Sequence, residues 1–465
     1  MSGAMNSGLS DVGPVEESTS ERPPMDMPPF REALRFWLKL GWISFGGTAA
    51  HIAIMHDELV EKKRWISNRS FLHALSHCMI LPGPEAQQLA IYIGWKLHGR
   101  RGGIVAGTLF VLPSMLVLLG LSVIYVRFGS LPWIAAMFHG LKPAVLALVV
   151  LALERVGRRA LRNGVQCTVA AAAFVAMFFF QVSLPLIMLG AVAIGLVLGS
   201  VRPGLFHGPV EAESEEDESG YLIHSGAATV HSGLGMSGSS SLFRSGAKVV
   251  AVALLLWAVP MAGLFCFARD FHFWNGVVLF FTRTAFVTVG GSYTVIPYVA
   301  QVAVWKLHWL SQAQMTDGFA LAETTPGPLI IVVAFVGFMA AQNHFHGSLW
   351  MGTLGLLVTT FYTFLPCFLF VFAGAPLVER SHGNRRVEAV MGLITAVVVG
   401  AILDLAFFLG RGVLFPPRAG LPRPDLLSVG WIVISLVLLR GKRVSVVALI
   451  GMSIGFGLLR FLFGR

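Results

Sequence analysis

Apolar runs approaching the roughly 20 residues that carry a helix across a bilayer follow one another through most of this 465-residue chain, at 34–55, 84–98, 102–126, 132–153, 165–180, 183–201, 248–268, 274–299, 327–341, 348–373, 387–410, 427–439 and 444–462. Thirteen such runs, set apart by short polar breaks, predict an all-α polytopic membrane protein. Two longer breaks divide the chain further. Residues 1–30 are rich in acids, serines and prolines and lack the apolar stretch of a cleavable signal, so they read as a disordered tail. Residues 202–247 hold the acidic run 211–218 and then a Ser/Gly/His-rich stretch, which buries too little apolar surface to fold alone. The expected organisation is a tail (1–30), a first unit (31–201), a polar linker (202–247), a bridging transmembrane helix (248–268) and a second unit (269–465).

The two units are copies of one another. Pro82-Gly83-Pro84 recurs 244 residues later as Pro326-Gly327-Pro328, and Gly46-Gly47 recurs at the same offset as Gly290-Gly291. Phe36/Phe280, Trp65/Trp309, Ser67/Ser311 and Gly103/Gly347 match at 244 as well, with Lys39 facing Arg283. Further on, Leu112-Pro113 matches Leu365-Pro366 at 253, and Gly140-Leu141 matches Gly392-Leu393 at 252.

Composition agrees with a lipid environment: 55% of residues are hydrophobic and 12% charged, where a soluble domain carries roughly 25% charged residues. The net charge of +10 gathers at the ends of apolar runs, as at Lys62, Lys63, Arg64 and Arg69, or Arg155, Arg158, Arg159 and Arg162. That is a topogenic pattern, with no basic face for nucleic acid. The four cysteines lie far apart and suggest neither a disulfide framework nor a metal site.

If all thirteen runs cross, seven crossings separate the starts of the copies, and an odd number inverts the second. Charge supports this: the opening flanks of the first copy carry Arg31, Arg35, Lys62, Lys63, Arg64, Arg69, Arg100 and Arg101, the matching flanks of the second little beyond Arg269 and Lys306. Basic clusters on both sides of 70–98 suit a re-entrant hairpin that turns at Pro82-Gly83-Pro84, and Gly46-Gly47 is positioned to break the preceding helix. Interrupted helices are tolerated at membrane depth only where they are buried or line a wet cavity, and their new N-termini favour anions. Paired in inverted repeats, they are a mark of secondary transporters.

The stretches SFGGTAAHIAIMHDELVEKKRW (44–65), LPGPEAQQLAIYIGW (81–95), GLKPAVLALV (140–149) and LAETTPGPLI (321–330) resemble the chromate ion transporter family in its long two-domain form. The resemblance covers about 32–200 and 275–410. It implies a multi-pass protein of the bacterial inner membrane that exports chromate, confers chromate resistance and meets sulfate as a competitor. Where many members have proline after the first Gly-Gly, this chain has Thr48, and Ser292 in the second copy.

A tetrahedral dianion withdrawn from water needs opposing charge or many donors. Candidate substrate-binding residues are Lys39 and Arg283, one cation from each copy, with Lys142 as a third. Gly46, Gly47, Gly290 and Gly291, the two Pro-Gly-Pro turns (Pro82, Gly83, Pro84 and Pro326, Gly327, Pro328), Gln87, Gln88, Thr324 and Thr325 are expected to add helix ends and donors. Glu85, Glu323 and Asp404 are candidates for carrying protons, although Glu85 is equally placed to cap its helix and Glu323 to pair with a base. Trp65 and Trp309 read as interfacial anchors, and His73 and His77 as loop or interfacial histidines rather than metal ligands.

No HExxH, GxSxG or Walker loop occurs, so neither an enzyme nor a self-contained ATP-driven pump is expected, and no cofactor or metal. The expected partners are chromate, sulfate as competitor, the lipid bilayer and, in a homodimer, a second copy; nucleic acid is not among them. A sulfate-type oxyanion importer or a passive oxyanion channel is the alternative reading, since binding residues do not encode direction or coupling.

Overall fold

The computed structural model describes residues 27–201, 239–268, 270–289, 292–374, 385–415, 424–441 and 444–463. All regular structure among them is helical. The first copy comprises α1 (Phe30–Ile43), α2 (Gly47–His56), α3 (Asn68–Ile80), α4 (Glu85–Phe128), α5 (Pro132–Ala160), α6 (Gly164–Phe178) and α7 (Leu184–Val201). After the bridging helix α8 (Ser239–Phe267) come α9 (Phe271–Val287), α10 (Ser292–Ala300), α11 (Gln312–Thr324), α12 (Val332–His344), α13 (Leu349–Leu369), α14 (Arg385–Leu414), α15 (Leu426–Arg440) and α16 (Val446–Phe463). Among the described residues, seven helices are long and apolar enough to cross a membrane.

That is fewer than the thirteen apolar runs, because several runs are broken or short. Run 34–55 divides at Ser44–Gly46 into α1 and α2, and the run 274–299 divides after Val287. Runs 84–98 and 102–126 form the 44-residue α4, which reverses at His98 and Gly99. Behind the reversal a Cβ on Gly94 would fall 2.7 Å from the Gly102 carbonyl oxygen, so the two limbs pack backbone against backbone as a hairpin.

Local geometry repeats with the sequence. Ser44 bonds back to the Leu40 carbonyl at 2.6 Å, and Thr288 to that of Thr284 at 2.7 Å. Each copy then makes a π-helical turn, Asp57–Lys62 and Gln301–Lys306, closed by Trp65 N–H to Leu59 O (2.8 Å) and Trp309 N–H to Ala303 O (2.9 Å). Ser67 and Ser311 cap the helices that follow, accepting from the N–H groups of Ser70 and Gln314. The tryptophans depart from the interfacial role read from the sequence. Trp65 is 4% exposed, held edge-on to Phe36 with Lys63 over its ring, and Trp309 stacks on Phe281: each packs the chain inward after the π turn. His77 is likewise buried, with Nδ1 2.6 Å from the His73 carbonyl oxygen.

The Pro-Gly-Pro turns join the copies. The Gly83 N–H donates to the Thr288 carbonyl and the Gly327 N–H to the Ser44 carbonyl, each at 2.5 Å. These are repeat-equivalent pairs, exchanged between the copies. Both glycines have positive φ, +132° and +95°, and a Cβ on Gly327 would fall 2.6 Å from Ser114 Oγ while one on Gly83 would fall 3.0 Å from Cys367 Sγ. Side chains are excluded there by conformation and by space.

Two pairs of repeat-equivalent helices cross the copy boundary antiparallel. In the second limb of α4, Gly103 abuts Phe372 and Gly107 abuts Phe368 at the end of α13 and in the turn beyond it. Similarly Leu146 of α5 faces Gly410 of α14, while Gly157 faces Val399. In both pairs, residues later in one helix meet residues earlier in the other. Elsewhere Gly195 packs on the Val390 backbone, whereas Gly451 and Gly455 have open space beside them.

Candidate functional site

Two cavities open beside α5, at opposite ends of it. The larger, about 1490 Å³, is lined from both copies: by the start of α2, by α3, by Glu85, by the last third of α5, by Tyr293 and Glu323, and by the first half of α14. The smaller, about 410 Å³, lies beside the end of α4, the first half of α5, the start of α11 and the end of α12, with Tyr125, His139, Lys142 and Asp317 among its lining.

In the larger cavity the donors include a helix end and two guanidinium groups. α2 begins after Gly46, whose left-handed φ of +96° turns the chain sharply, and no side chain caps its first N–H groups. Gly46, Gly47 and Thr48 of that uncapped turn line the cavity together with Arg155 and Arg159. A helix N-terminus and guanidinium groups both favour anions, the second as bidentate donors to an oxyanion. The same space holds three carboxylates, Glu85, Glu323 and Glu388, and the Tyr293 hydroxyl donates to Glu323 Oε1 at 3.3 Å. Glu323 is 4% exposed.

In the smaller cavity Lys142 Nζ lies 2.8 Å from Asp317 Oδ1, and the Tyr125 hydroxyl donates to Asp317 Oδ2 at 3.0 Å. Removing one partner of such a secluded ion pair typically costs about 3–5 kcal/mol, because the other charge is stranded.

The structure sorts the residues predicted from sequence. Gly46, Gly47, Glu85 and Glu323 meet at the larger cavity, and Lys142 lines the smaller. Lys39 and Arg283 line neither: Lys39 is 60% exposed and sits 3.7 Å from Glu58, and Arg283 is exposed on α9. Pro82-Gly83-Pro84 and Pro326-Gly327-Pro328 form the interlock between copies and lie outside both linings. Gln88 donates to the Pro82 carbonyl at 2.5 Å and braces the first turn; Gln87 donates to the Gly107 carbonyl across the α4 hairpin. The Thr324 and Thr325 hydroxyls bond back to Leu321 and Ala322. Pro84 occupies the cap position of α4 and no side chain caps that helix, so Glu85 is free of that duty. Asp404 is half-buried on α14, outside both linings. Gly290 and Gly291 lie outside the described residues.

Arg155, Arg159, Tyr293 and Asp317 escaped the sequence reading. The arginines belong to a basic flank of the kind that sets topology, and Asp317 sits in α11, whose polar first turns look like solvent-facing helix. An acid at the same depth as Lys142 was the available signal, but only the fold pairs them.

Paired helical copies around two cavities, with seven of the described helices long and apolar enough to cross a membrane, define a multi-pass membrane protein. The chain matches the chromate transporter family over residues 31–196 and 276–458, and it belongs to that family. It is 31% identical to a chromate transport protein of Pseudomonas aeruginosa, with 83% of this chain and 82% of the relative covered, and 28% identical to one of Cupriavidus metallidurans, with 82% of each covered. An uncharacterized transporter of Bacillus subtilis, 30% identical, matches 29% of this chain over 68% of its own length. No solved structure matches the chain.

Proposed function

We propose that the protein is a secondary active chromate exporter of the bacterial inner membrane that confers chromate resistance, and that its two copies are inverted. The observation that carries the reading is the convergence of the uncapped α2 start with Arg155 and Arg159 in one cavity between the copies. That cavity lies at the end of α5 where Arg158 and Arg162 also sit, and Arg440 reaches Glu154 there at 3.1 Å through Nε. By the charge rule this is the cytoplasmic end, so the cavity collects anions from the cytoplasm.

The antiparallel packing of α5 on α14 and of α4 on α13 supports inversion, since equivalent helices of equally oriented copies would run the same way. Re-entrance is supported by length: α3 and the first limb of α4 each hold about 13 residues, roughly 20 Å of helix against a hydrocarbon core of about 30 Å. Export also agrees with energetics. An inside-negative potential drives a dianion outward by about 4.6 kcal/mol per 100 mV, twice the single-charge value, whereas import would need coupling to overcome it. The separation of the two cavities disfavours an open channel.

Chromate accumulation in inside-out vesicles with a lumen-positive potential tests the proposal. Uptake is expected with the wild type, collapsing when the potential is dissipated and competed by sulfate; uptake that ignores both the potential and the loss of Arg155 and Arg159 would refute it.

A further inference from the structure

We propose that the smaller cavity is a second oxyanion station, at which Asp317 must take up a proton before Lys142 can hold the anion. The proposal deepens the chromate reading and rests on it. Lys142 and Asp317 keep 15% and 10% side-chain exposure, yet both face a polar space that Gln314, Gln342 and Asn343 also line. An ionised pair secluded at membrane depth marks an ion path or a proton relay more often than a structural prop. Counting from Pro132, Lys142 lies ten residues into α5, about 15 Å along a helix and half the thickness of the hydrocarbon core.

The charges around the pair leave Lys142 as the cation available to an anion in this cavity. His139, on the same face of α5, is the other titratable group in the lining. Arg460 and Asp425, which act electrostatically on His139, are paired with each other at 2.7 Å. With Asp317 ionised, Lys142 is neutralised and an entering dianion meets a carboxylate. Once Asp317 is protonated, the carboxylate no longer competes for the ammonium group, and the Tyr125 hydroxyl is released as a further donor. Proton and anion therefore favour each other's binding, and by reciprocity to the same degree.

The two cavities lie close enough for one passage to use both. On α5, Lys142 faces the smaller cavity and Leu148 the larger; on α11, Asp317 and Glu323 do the same. Six residues, about 9 Å of helical rise, separate the members of each pair. A dianion leaving with one proton still carries negative charge outward, so the membrane potential continues to drive it.

The test uses the full-length protein in liposomes with a trapped pH indicator, sodium chromate as the probe, and comparison of variants at matched pH to remove the anion's own protonation. Wild-type uptake is expected to acidify the lumen. Asp317→Asn should lose the proton signal and flatten the pH profile of the chromate uptake that it supports, while Asp317→Glu restores both; Lys142→Gln should lower uptake at least tenfold. Tyr125→Phe, which leaves the ion pair in place, should shift the half-maximal uptake to higher pH, and it decides the matter should Asp317→Asn not fold. Chromate flux without proton movement in the wild type, an unchanged proton signal in Asp317→Asn, or an unchanged profile in Tyr125→Phe would overturn this proposal alone. Absence of any wild-type chromate flux would overturn the chromate reading, and this proposal with it.

Discussion

Arg155 lines the same cavity as the start of α2, so an oxyanion bound there as proposed would lose charge-assisted hydrogen bonds when the guanidinium is removed. Such a bond is worth about 1.5–3 kcal/mol, which predicts a 10- to 100-fold weaker half-saturation for chromate in Arg155→Gln, measured by vesicle uptake at equal protein level. Lys39→Gln is expected to stay within about twofold of wild type, as suits an exposed ion pair, because Lys39 lines neither cavity. Sequence pointed instead to Lys39 and Arg283, since their matched positions before Gly-Gly suggested symmetric cations. Both stand on outward faces of their helices, and helical phase relative to a partner cannot be read before the packing is known. That Lys142 and the first Gly-Gly would stand at unusual places in the fold was legible, because a charge in an apolar run and a helix break each cost free energy that something must offset, and both line cavities.

Among the elements, the Pro-Gly-Pro turns work as a clasp. The same repeat that made them conspicuous in sequence suggested a site for substrate, but their glycine N–H groups are spent on carbonyls of the other copy. Gly83→Ala and Gly327→Ala are each expected to cost roughly 1–3 kcal/mol through backbone strain, with added crowding at Ser114 or Cys367; thermal unfolding in detergent measures it. The helix ends were largely legible, because Ser67 and Ser311 precede apolar stretches as caps should. The reversal inside α4 was also foreshadowed, by the polar gap between runs 84–98 and 102–126.

At the start of α9, Asp270 accepts from the Phe273 N–H, and the His344 ring lies 2.8 Å from its carboxylate. Those partners hold the Asp270 carboxyl below its ordinary value. A lowered folded value means that its stabilisation is present above the unfolded value of about 3.9 and is lost as pH falls through the lower folded one. The melting difference between wild type and Asp270→Asn should therefore shrink as pH falls below the ordinary carboxylate value and through the lowered folded one.

For the whole molecule, an all-helical membrane architecture followed directly from the spacing of apolar runs, and the copy relation from a constant offset. What sequence could not supply was which faces meet: the reciprocal clasp, the antiparallel pairs α5/α14 and α4/α13, and the cavities between them arise from packing alone. The proposed path for a dianion has the two copies standing opposite ways up, with the start of α2, Arg155 and Arg159 of the first copy and Tyr293 and Glu323 of the second lining one cavity. Lys62 and Lys306 occupy equivalent exposed ends of the π turns and so report the orientation of each copy. With the exposed Cys167 and Cys266 replaced, Lys62→Cys and Lys306→Cys can be labelled by a membrane-impermeant thiol reagent in sealed right-side-out and inside-out vesicles. Lys62→Cys is expected to react from the cytoplasmic face and Lys306→Cys from the opposite one; reaction of both from the same face would contradict the inverted architecture and the shared anion cavity built on it.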